Sequence, residues 1–160
     1  MIRSVQLSDA SQVCGIYNEY VANSTVTFEE EPVTPEEMRA RIDKITLTYP
    51  WIVYEEEGKI IGYSYGRMWR DRSAYKFSVE TGTYLRGDST GRGIGTRLKR
   101  ELLDQLRERS FHTVISGIAL PNPASVALNE KFGFKKIAHL KEVGFKHGKW
   151  IDVGYWQLML

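Results

Sequence analysis

Apolar side chains recur at intervals of three and four along two long segments of the chain, and alternate with polar ones along most of the others. In the first segment Val13, Ile16, Tyr17, Tyr20 and Val21 form one stripe of an amphipathic helix, with Ser8 or Asp9 placed to cap it. In the second, Ile94, Leu98, Leu102 and Leu106 recur every fourth residue, so one side of a long helix faces a core. Between them Thr34-Pro35-Glu36-Glu37 combines a capping threonine, a proline at the first helical position and a glutamate that closes a capping box. That helix is expected to run to about Thr48, where Tyr49-Pro50 ends it.

Period-two runs and turn residues predict the strands. They fall at residues 2–6, 51–54, 60–65 and 76–85, the middle two joined through Glu56-Glu57-Gly58-Lys59. Along 76–85, Phe77, Val79, Thr81 and Thr83 share one side and Glu80 sits in the middle of the other. A strand at 112–119, a short helix at 124–132 stopped by Gly133, and two aromatic-rich strands around the turn 146–149 complete the chain. The order β-α-α-β-β-β-α-β-α-β-β defines an α/β domain with a mixed, mostly antiparallel sheet and one crossover, not a doubly wound parallel one.

Bulk properties narrow the function classes. With 160 residues the chain is read as one domain, 1–160, with enough length for a real core. Net charge is +2 with the basic residues scattered, so no nucleic-acid footprint stands out. The one basic cluster, Arg92, Arg97, Lys99, Arg100, Arg107 and Arg109, lies along the long helix and reads as a solvated face for all but Arg92. A single cysteine, Cys14, bordering a helix stripe, reads as a packed residue in a reducing compartment. With no signal-peptide pattern and no run near the roughly 20 apolar residues of a membrane span, the expected home is the cytoplasm. No His/Cys/Asp cluster has metal-ligand spacing, so no metal is expected.

The chemistry concentrates where the strand ending near Leu85 gives way to Gly91, Gly93 and Gly95 and then to the long helix. A helix start offers free N–H groups and the positive end of the dipole, and glycines let a phosphate approach the backbone. The cradle is not a P-loop, because no Lys-Ser or Lys-Thr pair occurs in the chain. Nor is it a dinucleotide fingerprint: the third glycine comes two residues after the second, and the strand that would supply a ribose-binding acid reads Thr113-Val114-Ile115-Ser116. On the glycines alone, a turn that only lets the helix pack tightly stays open.

This order of elements, with Gly91-Arg92-Gly93-Ile94-Gly95-Thr96 at the third helix and Asn122 followed by Lys131-Phe132-Gly133-Phe134, resembles the GNAT superfamily of acetyl-CoA-dependent N-acetyltransferases, whose sheet has helices on both faces. Ser24-Thr25-Val26-Thr27-Phe28, Tyr49-Pro50-Trp51, Ala74-Tyr75, Leu120-Pro121-Asn122, the segment from Gly144 to Trp150 and the final Asp152 to Leu158 are similar to phosphinothricin-type acetyltransferases. That branch also includes enzymes acting on methionine sulfone and methionine sulfoximine.

The resemblance implies direct acetyl transfer from acetyl-CoA to a primary amine. Glu80 matches the base of a Glu-x-x-x-Tyr strand, suited to take the amine proton directly or through one water. Backbone N–H groups of Thr83, Tyr84 and Leu85 correspond to those facing the thioester carbonyl. The pyrophosphate would rest on the amides of Gly91 to Thr96 (Arg92, Gly93, Ile94 and Gly95 between), with Arg92 adding charge, and Asn122 would hold the pantetheine arm. Seven residues on, where relatives carry tyrosine or histidine as an acid, stands Asn129, which cannot donate a proton as an acid. Coenzyme A then leaves as a thiolate, or Tyr84 or a water supplies the proton. On the acceptor side Arg70 or Arg72 is the expected carboxylate clamp, Phe28 and Tyr75 the pocket walls, and Glu29 its edge. Such enzymes are usually homodimers, and Trp150, Tyr155 or Trp156 would contribute to that interface. The competing readings are an acetyltransferase for a protein N-terminus, polyamine or aminoglycoside, and a non-catalytic acetyl-CoA-binding module.

Overall fold

The local signals at the two hairpin turns and the second helix give the elements their limits. Glu57 and Gly58 both take positive φ (50° and 77°), the left-handed pair that a two-residue turn between twisted strands demands, and His147 and Gly148 repeat it at 52° and 71°. These turns join β2 (Trp51–Glu56) to β3 (Lys59–Met68) and β6 (Lys135–Lys146) to β7 (Lys149–Met159). Helix α2 (Pro35–Thr46) carries the full reciprocal capping box: Glu37 N–H donates to Thr34 Oγ1 at 3.1 Å, and Thr34 N–H to Glu37 Oε2 at 2.9 Å. Helix α1 (Ala10–Asn23) begins differently from the expectation. The Asp9 carboxylate turns back to Gln6 N–H (2.8 Å) and Arg3, so it closes a 3-10 turn at Leu7–Asp9 and leaves the first turn of α1 uncapped by a side chain.

The computed structural model describes residues 1–160. The other elements are β1 (Ile2–Ser4), β4 (Ser78–Leu85), α3 (Ile94–Glu108), β5 (Thr113–Leu120) and α4 (Pro123–Lys131). The seven strands lie in the order β1-β2-β3-β4-β5-β7-β6, and every neighbouring pair is antiparallel except β4 and β5. Helices α1 and α2 bury Val13, Val21, Met38 and Ile42 against Trp51, Val53 and Tyr63 on one face. On the other, the α3 stripe of Ile94, Leu98, Leu102 and Leu106 packs on Val79, Val114, Ile118 and Trp156. Phe77, expected in the strand, lies just before β4 and is exposed.

The parallel pair positions the site. β4 and β5 share only three rungs, Ser78 with Thr113, Val79 with Val114 and Glu80 with Ile115. Beyond Glu80, β4 stays paired with β3 as far as Leu85, and β5 stays paired with β7 as far as Leu120. The two strands therefore part, and a fork opens through the sheet with Thr81 and Ser116 as the first residues past the last rung. No helix is long and apolar enough to cross a membrane.

Candidate active site

The fork opens into a cavity of about 1030 Å³ whose walls come from both faces of the sheet. Tyr17, Trp51, Tyr63, Tyr65 and Tyr84 line it on the α1 face, whereas Lys99, Ser116, Leu128 and Asn129 line it on the α3 and α4 face. Thr90 and Gly91 lie at its wall near the start of α3. The site is thus a passage through the sheet with an aromatic side and a more polar side.

Glu80 and Arg67 form the centre of the aromatic side. They are register partners on β4 and β3, and the pleat sends both side chains to one face. Arg67 Nε donates to Glu80 Oε2 at 2.9 Å, with Nη2 at the same distance, while Nη1 has no partner. The Glu80 side chain keeps 18% of its surface exposed and that of Arg67 keeps 52%, so both remain open to a small molecule. A second pair closes the outer wall: Arg41 Nη1 donates to Glu29 Oε2 at 2.8 Å, and the guanidinium holds that carboxyl below its usual range. Tyr17 also donates to Glu29, and burial pushes this phenol up to about 12.

Phe28 lines the cavity, with its ring lying on Gly144 of β6, where a Cβ would come within 2.4 Å of it. Lys146, buried beside it, donates to Thr27 O at 2.9 Å and pins the same loop. Trp51 Nε1, buried in the cavity wall, has no hydrogen-bond partner.

The expected arginines and tyrosine are elsewhere. Arg70 lies over the Trp69 ring at 4.9 Å, Arg72 caps a short 3-10 turn at Ser73–Tyr75, and all three of Arg70, Arg72 and Tyr75 are exposed and outside the cavity wall. They lie beyond the end of β3, where no pleat directs them at Glu80. Arg67 is three residues earlier, inside the strand. Nothing local in the sequence marked it, because its place opposite Glu80 depends on the β3–β4 register.

Backbone alternation selects among the three expected N–H donors. Arg86 N–H bonds Ile61 O at 2.9 Å, which places that pair in the hydrogen-bonded phase of the β3–β4 ladder. Tyr84 N–H therefore faces β3, while those of Thr83 and Leu85 face the fork. Tyr20 Oη lies 3.4 Å from Leu85 N, which leaves Thr83 as the freer donor. The Tyr84 ring stacks on Tyr63, and burial pushes its phenol well up, so it holds its proton and is a poor acid.

At the start of α3, Gly91 and Gly93 take φ of 78° and 74° with open space where a Cβ would stand, so their backbones are approachable. The first helical turn supplies the unpartnered amides of Ile94, Gly95 and Thr96. The Ile94 side chain is core, so only its backbone can serve a ligand. Arg92, expected to be free, is engaged by Glu56 at 2.7 Å on the exposed side of the loop.

Asn122 caps α4, its Oδ1 accepting from Ser125 N–H at 3.1 Å, which leaves its amide NH2 for a ligand. Asn129, 4% exposed, donates to Ser125 O at 2.9 Å, and its Oδ1 is buried without a partner. An unused acceptor in the cavity wall fits an N–H or S–H group of a pantetheine arm. Fork, open glycine turn and orphaned acceptor together suit coenzyme A.

Lys99 departs furthest from expectation. It is only 2% exposed, and its Nζ donates to Thr81 Oγ1 at 2.9 Å and Ser116 Oγ at 3.5 Å, with the Phe134 ring 4.4 Å away. Gly95 and Leu103 widen the buried stripe of α3 to two residues, and Lys99 falls inside it. That widening was the signal available in the sequence. Burial lowers its pKa from 10.5 to about 7. Between pH 7 and 10 the unfolded chain carries a proton that the folded chain has lost, so stability rises with pH over that range. Lys99→Met should abolish this slope and stabilise the fold by a few kcal/mol at pH 7, to order of magnitude, in thermal melts across pH.

Comparison with known proteins agrees with this geometry. Residues 2–154 match the family model described as an acetyltransferase (GNAT) domain. A phosphinothricin N-acetyltransferase of Streptomyces viridochromogenes is 38% identical over 156 residues, covering 98% of this chain and 85% of the relative. An L-methionine sulfoximine/L-methionine sulfone acetyltransferase of Pseudomonas aeruginosa is 33% identical, covering 99% of this chain and 94% of the relative. The crystal structure of a GNAT superfamily phosphinothricin acetyltransferase from Sinorhizobium meliloti in complex with AcCoA superposes with a TM-score of 0.97 at 37% identity, covering all of this chain and 88% of that one. The chain belongs to the GNAT acetyltransferase family. It is an acetyl-CoA-dependent N-acyltransferase, related to the phosphinothricin and methionine sulfoximine enzymes.

Proposed function

We propose that this chain acts as a single domain that moves the acetyl group of acetyl-CoA to the α-amine of a small amino-acid-like acceptor, of the phosphinothricin, methionine sulfoximine or methionine sulfone kind. The observation that carries the reading is the Glu80–Arg67 pair, at the wall where the aromatic pocket meets the fork. An α-amine has a pKa of about 8 and must shed a proton before it attacks, and Glu80 is the carboxylate placed to take it. Arg67 Nη1 is free to meet the acceptor's carboxylate in a charge-assisted bond. The unpartnered Trp51 N–H suits an oxygen of a sulfone, sulfoximine or phosphinyl tail, with Phe28 lining the same cavity. On the coenzyme side, the turn at Gly91 and the first amides of α3 would hold the pyrophosphate. Asn122 and Asn129 would hold the pantetheine arm, and Thr83 N–H would meet the carbonyl oxygen as charge develops there. When bound, acetyl-CoA supplies an acyl carbon activated by its thioester.

The test is release of free thiol from acetyl-CoA across a panel of amines. Phosphinothricin and the two methionine derivatives are expected to outpace spermidine, an aminoglycoside and a peptide N-terminus. A preference for any of the last three would overturn the acceptor class, and tight coenzyme binding with no turnover would favour the non-catalytic module.

We further propose that the chain is a cytoplasmic homodimer. Trp150 (65% exposed) packs on Phe145 at the tip of the β6–β7 hairpin, and Ile137, Leu140 and Val143 are exposed along the edge strand β6. Tyr155 instead lines the cavity, and Trp156 is core, its Nε1 donating to Glu130 at 3.1 Å. Trp150→Asp should shift the mass in light scattering from dimer to monomer, and an unchanged mass would remove this hairpin from the interface.

A further inference from the structure

One buried cation is unused by the steps above. Lys99 reaches from α3 to the apex of the fork, where Thr81 and Ser116, the first residues past the last β4–β5 rung, lie with hydroxyls 3.3 Å apart. All three line the same cavity as Glu80 and Asn129. Nothing charged answers the ammonium. Thr81 faces it from β4 and Ser116 from β5, while Phe134 presents a ring, Leu98, Leu102 and Leu103 flank it on α3, and Glu80 projects from the opposite face of β4. A buried lysine with two hydroxyl partners and no carboxylate is costly to keep charged, so a structural anchor alone is an expensive use of it. Its natural complement is an anion that forms in the fork for part of the reaction. The thiolate released from a thioester is such an anion, and Asn129 cannot protonate it.

We infer that Lys99 is the proton donor to the departing coenzyme A thiolate, acting through the Thr81 and Ser116 hydroxyls at the fork apex. The inference rests on the acetyl-transfer reading. The amine nitrogen bonds to the thioester carbon and the C–S bond breaks. An acceptor that arrives as an ammonium first passes one proton through Glu80 to solvent; after attack the nitrogen loses its second proton to Glu80, and the sulfur gains one from the Lys99 ammonium by way of the hydroxyl pair. Amide and thiol result, with Glu80 protonated and Lys99 neutral, and exchange with solvent resets both. A lysine whose burial has already loosened its proton gives it readily to an alkyl thiolate, a stronger base, and regains it near neutral pH.

The experiment is a pH titration of the far-ultraviolet thiolate absorbance of free coenzyme A bound to the full chain, with no acceptor present. A bound thiolate raises the hold of Lys99 on its proton, so the two titrate as a coupled pair, and the wild-type thiol midpoint should lie about one unit or more below that in Lys99→Met. Lys99→Arg holds its charge but cannot release the proton, so it should keep the low midpoint. In turnover assays both variants should lose about 10- to 100-fold in kcat, with KM for acetyl-CoA within about threefold of wild type. Lys99→Gln, which retains a donor for the hydroxyls, gives the same comparison should the methionine variant not fold. Identical thiol midpoints in wild type and Lys99→Met, or an unchanged kcat, would overturn the inference. A Lys99-dependent midpoint and kcat with turnover only of amines outside the amino-acid class would overturn the acceptor reading and leave this one standing.

Discussion

Glu80→Gln is expected to lower kcat for an α-amine acceptor at pH 7 by about 10²- to 10⁴-fold, the usual worth of a positioned general base. The substitution keeps the shape of the side chain and one oxygen to accept from Arg67, so the fold and the pocket should survive. What it removes is the ability to take a proton. Because an α-amine has a pKa of about 8, most of the acceptor is protonated at pH 7 and most is neutral at pH 9. The deficit should therefore shrink as pH rises, and steady-state rates from pH 6.5 to 9.5 read it directly. An equal deficit at both ends of that range would leave Glu80 as a positioning residue for Arg67 and assign the base elsewhere.

Arg67→Met should raise KM for a carboxylate-bearing acceptor by about 10- to 100-fold, since a charge-assisted hydrogen bond contributes about 1.5–3 kcal/mol. The decisive comparison is with the decarboxylated amine, which never used that bond and should show little change in KM. Equal losses for both acceptors would mean that Arg67 acts only through Glu80, its partner at 2.9 Å. Substitution of Arg70 or Arg72 should alter neither KM, because both side chains lie on the exposed connection outside the cavity. The pairing of Glu29 with Arg41 and of Glu80 with Arg67 leaves the pocket nearly balanced in charge, which disfavours a polycationic acceptor.

The elements and the open helix start at Gly91 to Gly95 were legible in the chain because they rest on local physics. Helix caps and periodicity predicted α2 and α3 to within a turn, since an N-cap, a proline and a four-residue stripe act over neighbouring residues. The positive φ of Gly91 and Gly93 likewise belongs to the residue type. Even the buried place of Lys99 left a trace in Leu103, which widens the apolar stripe around it. The other side of the passage was legible only in part: Phe28, Glu29 and Glu80 line the cavity, and the arginines do not. A motif carried by neighbouring residues pointed to Arg70 and Arg72, but which arginine meets Glu80 depends on the pairing of β3 with β4, and register is a tertiary quantity.

The glycine run by itself determined a helix start open to a phosphate, for backbone amides there are a property of the chain alone, and it was the resemblance to the GNAT superfamily that made this phosphate the one of coenzyme A. Only the tertiary structure decided what surrounds the acetyl group. The parting of β4 and β5 after three rungs creates the passage through the sheet, and strand register brings Arg67 rather than its exposed neighbours to Glu80. The packing of α3 against that fork carries a lysine, read from the sequence as solvated, to a buried place at the cavity wall. Burial and cross-strand register arise from contacts between segments distant in the chain, and those contacts exist only once the sheet has formed.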